Sequence, residues 1–73
     1  SRFTLDRAAA LAERVKLEAG GDVSRQIERA YRLALGRSPT AEELQDVRPI
    51  VHEHGLAVLG RALFNCNEFL VLP

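Results

Sequence analysis

With 73 residues, ten basic and ten acidic side chains and a formal charge of zero, the chain has room for one small domain and no second core. A balanced charge provides no global field to recruit nucleic acid, an anionic membrane or an acidic substrate. The single cysteine excludes an internal disulfide, no stretch reaches the run of about eighteen apolar residues that spans a bilayer, and no signal-type apolar region precedes a small-residue cleavage site, so packing of an aliphatic core must hold the fold.

The first predicted helix puts Leu5, Ala8, Leu11, Ala12, Val15 and Ala19 on one face and Asp6, Arg7, Glu13 and Arg14 on the other, the pattern of an amphipathic helix. Thr4 is the expected N-cap with Phe3 as a hydrophobic staple, and Gly20-Gly21 is the expected stop. Asp22 then caps a second helix with the stripe Val23, Ile27, Ala30, Tyr31 and Ala34, widened by Leu33 and Leu35. Its opposite face carries Arg25, Arg29 and Arg32, with Glu28 placed four residues ahead of Arg32 in the favourable order for an ion pair.

Between Leu35 and Leu44 the chain spells a stop and a restart. Gly36 can take the positive φ of a C-cap, and Pro39 keeps Ser38 extended. Thr40 opens the third helix in a capping box with Glu43, worth roughly 1 kcal/mol. That helix is expected to bury Ala41, Leu44, Val47 and Val51 and to kink or break near Arg48, because Pro49 lacks an N–H and its ring meets the carbonyl four residues earlier. His54-Gly55 is the exit. A fourth, largely apolar helix follows with Leu56, Leu59, Leu63 and Cys66, flanked by Val58, Ala62 and Phe69, and is expected at the centre of the core. Leu70-Val71-Leu72-Pro73 reads as a short extended tail.

Few residues invite a site. His52 and His54 suggest a metal ligand pair, but at i,i+2 they diverge by about 200° on a helix and cannot share one ion. Cys66 has no histidine near it in sequence and reads as a small, half-buried residue. Arg25, Arg29, Arg32 and Arg37 raise a helix-turn-helix DNA binder. The positive stripe lies before the turn, however, and the segment after it carries Glu42, Glu43 and Asp46, which repel phosphates. Asn65, Asn67 and Glu68 beside Phe69 can orient a ligand or cap a helix end, and capping is the simpler account. A site that Asn67 and Glu68 share with further domains stands as a third possibility. No serine has a histidine partner and no glycine-rich loop follows a strand, so neither catalysis nor a bound cofactor is expected of this chain alone.

Two stretches carry a family resemblance. Tyr31-Arg32-Leu33-Ala34-Leu35-Gly36-Arg37-Ser38-Pro39-Thr40-Ala41-Glu42-Glu43-Leu44 comes first. His54-Gly55-Leu56 and Arg61-Ala62-Leu63-Phe64-Asn65-Cys66-Asn67-Glu68-Phe69-Leu70 follow. In this order they resemble the C-terminal end of planctomycete-specific domain 1, a domain of unknown function, from about Leu11 onward. The resemblance implies a large bacterial parent with a signal peptide, often with a cytochrome-c-like module, and hence an extracytoplasmic location. It also implies that no residue of this chain binds the haem. Two positions depart from the family pattern, which usually has a small polar residue at Cys66 and an aromatic near Val71.

The expected architecture is therefore a single all-α domain over residues 1 to 73, a small bundle of four helices. Its start at Ser1 without an initiator methionine fits a processed product or an excised piece of a longer protein, and the resemblance implies that the piece is a C-terminal one. The expected role is a non-catalytic structural or protein-interaction module. It would dock the remainder of its parent or a second copy through apolar residues left over after self-burial, Leu17, Leu70, Val71 and Leu72. DNA binding through the Arg25/Arg29/Arg32 face is the alternative, and no membrane partner is expected.

Overall fold

Left-handed glycines end three helices of this chain: Gly20, Gly36 and Gly55 have φ of 74°, 75° and 93°, a region that costs other residues steric strain. A computed structural model describes residues 2 to 66, with side chains from residue 7 onward. Between the glycines run α1 (Arg2–Ala19), α2 (Val23–Leu35), α3 (Ala41–His54) and α4 (Leu56–Phe64), an all-α small bundle. Leu5 and Phe3 have side chains outside the described ones, and Asn67, Glu68, Phe69, Leu70, Val71 and Leu72 lie outside the described residues altogether.

The caps follow the local chemistry. Asp22 accepts from the Arg25 N–H at 3.1 Å and opens α2. At the other end, the Gly36 N–H donates to the Arg32 carbonyl at 3.0 Å and closes it. Two boundaries differ from expectation. α1 starts at Arg2, so Thr4 lies inside the helix and is not its N-cap. α4 stops at Phe64, leaving Cys66 half-buried in the turn that follows. Asn65 is the C-cap of α4 with φ of −100°, outside the left-handed region.

Pro49 sits inside α3, and the helix continues past it to His54 without a break. A missing N–H removes one rung of the ladder, and the remaining turns carry the helix onward. Pro49 is solvent-exposed, so its ring needs no space in the core.

The core is built from Ala12, Val15, Ile27, Ala30, Tyr31, Ala34, Val51, Leu56, Leu59 and Leu63. Ile27 and Val15 are completely enclosed. Helices α2 and α4 each touch the other three, whereas α1 and α3 do not meet. That layout explains a shortfall in α3. Of its expected stripe only Val51 is buried, Leu44 and Val47 are half-buried, and Ala41 is exposed, because α3 meets α2 and α4 far less extensively than α1 meets α4.

Contact is most extensive between α1 and α4, and within it Gly60 packs tightly against Ala8. A Cβ on Gly60 would stand 3.2 Å from the Cα, Cβ and carbonyl oxygen of Ala8. Ala8 is only 1% exposed. Small residues on both sides let the helix axes approach more closely than Leu or Val would permit.

Candidate functional site

The turn from α2 to α3 gathers the motif residues into one hydrogen-bonded cluster. Arg37 donates through both terminal nitrogens to the two carboxylate oxygens of Glu43, at 2.8 and 2.9 Å, the fork geometry that makes such pairs strong. One of these nitrogens also donates to the Ser38 carbonyl at 3.0 Å. Glu43 in turn accepts from the Thr40 N–H at 2.8 Å, and Thr40 Oγ1 accepts from the Glu43 N–H at 3.1 Å. The capping box is complete. Beside it, the Arg37 guanidinium lies 5.6 Å from the centroid of the buried Tyr31 ring, within cation–π range.

These contacts act on the Glu43 carboxyl. The Arg37 hydrogen bonds, then the Thr40 N–H, stabilise its charged form and bring its pKa down to about 2. The acid is thereby committed to charge at any physiological pH. It holds a turn and has no proton to offer a reaction.

A second cluster lies where α1 meets α2. A surface groove of about 480 Å³ is lined by Glu18 and Ala19 of α1 and by Arg25, Glu28, Arg29 and Arg32 of α2. Glu18 joins the two helices, accepting from Arg14 at 2.7 Å within α1 and from Arg29 at 2.6 Å across the corner. Those two guanidinium contacts, Arg14 first, lower its pKa. Gln26 further ties the corner by donating its amide to the Gly20 carbonyl at 2.6 Å.

The expected Glu28–Arg32 pair does not form. Among the described residues the side chains of Glu28, Arg25 and Arg32 have no hydrogen-bond or ion-pair partner. Arg25, Arg29 and Arg32 thus share one groove, as their spacing predicts, whereas Arg37 is drawn away to Glu43. Glu18 escaped the sequence reading as a groove residue. Its i,i+4 pairing with Arg14 was legible, but its bond to Arg29 spans eleven residues and has no local signature.

The other sequence candidates stay apart. His52 and His54 are both exposed on the last turn of α3. Among the described residues no three His, Cys, Asp or Glu side chains gather as a metal site would require. None of the described helices is long and apolar enough to cross a membrane. Leu17 is 87% exposed and Ile50 45% exposed, and they belong to different helices that do not touch, α1 and α3. Chemically, the described surface offers a basic groove with two uncommitted guanidinium groups and a corner held by its own polar side chains. Comparison with protein-family models, with curated proteins and with solved structures finds no match for the chain.

Proposed function

We propose that this chain is a helical C-terminal module of a larger extracytoplasmic bacterial protein, with a structural or protein-interaction role and no catalytic centre of its own. The supporting observation is the use of its motif residues. Arg37, Thr40 and Glu43 bond to one another around the α2–α3 turn, so the most distinctive stretch of sequence serves the shape of the module. The extracytoplasmic placement, and the planctomycete-specific domain 1 as its family, rest on the sequence resemblance. Its partner on this reading is the remainder of the parent protein or a second copy.

Reading the genomic frame upstream of Ser1 tests the proposal. A secretory leader, with or without a C-x-x-C-H haem motif, supports it. A frame that encodes an enzyme whose catalytic residues fall within residues 1 to 73 overturns it. Sedimentation of the chain with and without residues 70 to 73 tests docking by the tail: an identical monomer in both cases removes the tail from the interface.

The uncommitted Arg25 and Arg32 favour a second reading, binding of DNA along the α2 face. It predicts a gel shift with duplex DNA that weakens steeply with salt. No shift at low salt removes it.

A further inference from the structure

Resting on the interaction role just proposed, we infer that the α1–α2 groove docks an acidic polypeptide segment of the partner, whose carboxylates face Arg25, Arg29 and Arg32. These three arginines stand at i, i+4 and i+7 on α2, a span of about 10 Å. An acidic helix repeats its carboxylates with the same spacing and rise, so the two rows can match residue for residue.

Charge placement within the groove points to an outside anion. Arg14, Arg29 and Arg37 have each taken a carboxylate, yet Arg25 and Arg32 have none among the described residues although Glu28 stands three and four positions away. Arg25 also occupies the first turn of α2, which holds no acidic residue. The Asp22 carboxylate already answers the helix dipole at this end, so a carboxylate brought by a partner supplies the counter-charge that the Arg25 side chain lacks. The groove is pre-organised to receive it. Glu18 holds Arg29 at 2.6 Å, Gln26 holds the Gly20 carbonyl at 2.6 Å, and Asp22 caps the helix, so the ordering left for binding is confined to the Arg25 and Arg32 side chains.

Glu18 and Glu28 distinguish a polypeptide from a nucleic acid. A phosphate backbone carries unbroken negative charge past both carboxylates. A polypeptide can set neutral or basic side chains opposite them and acids opposite the arginines, and this alternation is what the groove displays.

The test uses the full 73-residue chain and a fluorescein-labelled, alanine-based helical peptide with Glu at i, i+4, i+7 and i+11, read by fluorescence anisotropy. Binding is expected at about 20 mM salt and is expected to weaken strongly at about 200 mM. Replacing the peptide's Glu by Gln abolishes it. The Arg25→Gln/Arg32→Gln double variant loses about tenfold in affinity, the effect of two exposed charge pairs, whereas Arg48→Gln on α3, outside the groove, changes nothing. Circular dichroism checks that the double variant keeps its helices, and if it does not, the salt and Glu-to-Gln arms on the unmodified chain decide. No binding at low salt, equal binding of the Gln peptide, equal loss with Arg48→Gln, or tighter binding of duplex DNA of the same charge overturns the inference. Such a result leaves the module reading standing, since that reading depends on the upstream reading frame.

Discussion

Gly60 and Ala8 meet backbone to backbone, the position of a Gly60 Cβ lying 3.2 Å from the Ala8 carbonyl oxygen. Here α4 crosses α1, and the atoms in the way are the Cα, carbonyl oxygen and Cβ of Ala8, all fixed by the course of an 18-residue helix and unable to rotate aside as a longer side chain can. Gly60→Ala gains up to about 1 kcal/mol in helix propensity but must push the helices apart, an overpacking cost of about 1–3 kcal/mol. A net loss of up to about 2 kcal/mol is expected, seen as a lower urea midpoint. An unchanged or higher midpoint means that α1 slides away freely and that the crossing is not tight.

Glu43 serves the turn through its charge and through its cap, and the two can be separated. Glu43→Ala removes both and is expected to lower stability by about 1–2 kcal/mol, or the melting temperature by about 4–16 °C. Glu43→Gln keeps a capping oxygen for the Thr40 N–H and loses less. Thermal melts followed by circular dichroism rank the three proteins, and equal losses for Ala and Gln would assign the whole effect to the Arg37 pair.

The same carboxyl sets an acid limb. Its folded pKa of about 2 lies below the ordinary 4.5, so the folded state binds fewer protons than the unfolded chain between these values. Its contribution is complete above about pH 4.5 and disappears as the pH falls toward 2. The gap in melting temperature between the unmodified chain and Glu43→Gln, which keeps the capping oxygen and lacks the charge, should therefore close over that interval. A gap that persists at pH 2 means that the pairing is not electrostatic.

Core and surface apolar residues should respond very differently. Ile27 is fully enclosed and Leu17 is 87% exposed. Ile27→Ala is expected to cost about 2–5 kcal/mol, a large part of the roughly 4–11 kcal/mol available to a domain of this size. Leu17→Ser should stay within about 0.5 kcal/mol. Denaturant titrations compare the two, and a strongly destabilised Leu17→Ser would show that Leu17 is already covered in solution.

Pro49 leaves the Gln45 carbonyl without the N–H that any other residue at position 49 would supply. Because Pro49 is exposed and α3 continues past it, Pro49→Ala needs no repacking and restores a donor. A gain of about 1–3 kcal/mol in stability is expected. A lower melting temperature would show that the stiffness of proline in the unfolded chain outweighs the added hydrogen bond.

Sequence patterning located every helix of the described chain because each signal was local. The spacing of Ile27, Ala30, Tyr31 and Ala34 sets the buried face of α2, and Gly36, Thr40 and Glu43 stop one helix and start the next with bonds that span three or four residues. Where the sequence reading failed, competing factors lay outside the local window. Thr4 has capping chemistry, but α1 begins at Arg2. The α3 stripe has the right period, yet that helix stands at the flank of the bundle and buries only Val51 fully.

Helix number, helix faces and the α2–α3 turn were determined by the sequence alone, because dihedral preference, side-chain period and capping act between residues a few positions apart. Tertiary structure alone decided that Arg29 takes Glu18 of α1 in place of an acid on its own helix, that Glu28 and Arg32 form no ion pair, and that Gly60 packs tightly against Ala8. Those outcomes depend on which helices become neighbours, and that is settled by burying four apolar stripes together, a condition no short stretch of sequence contains.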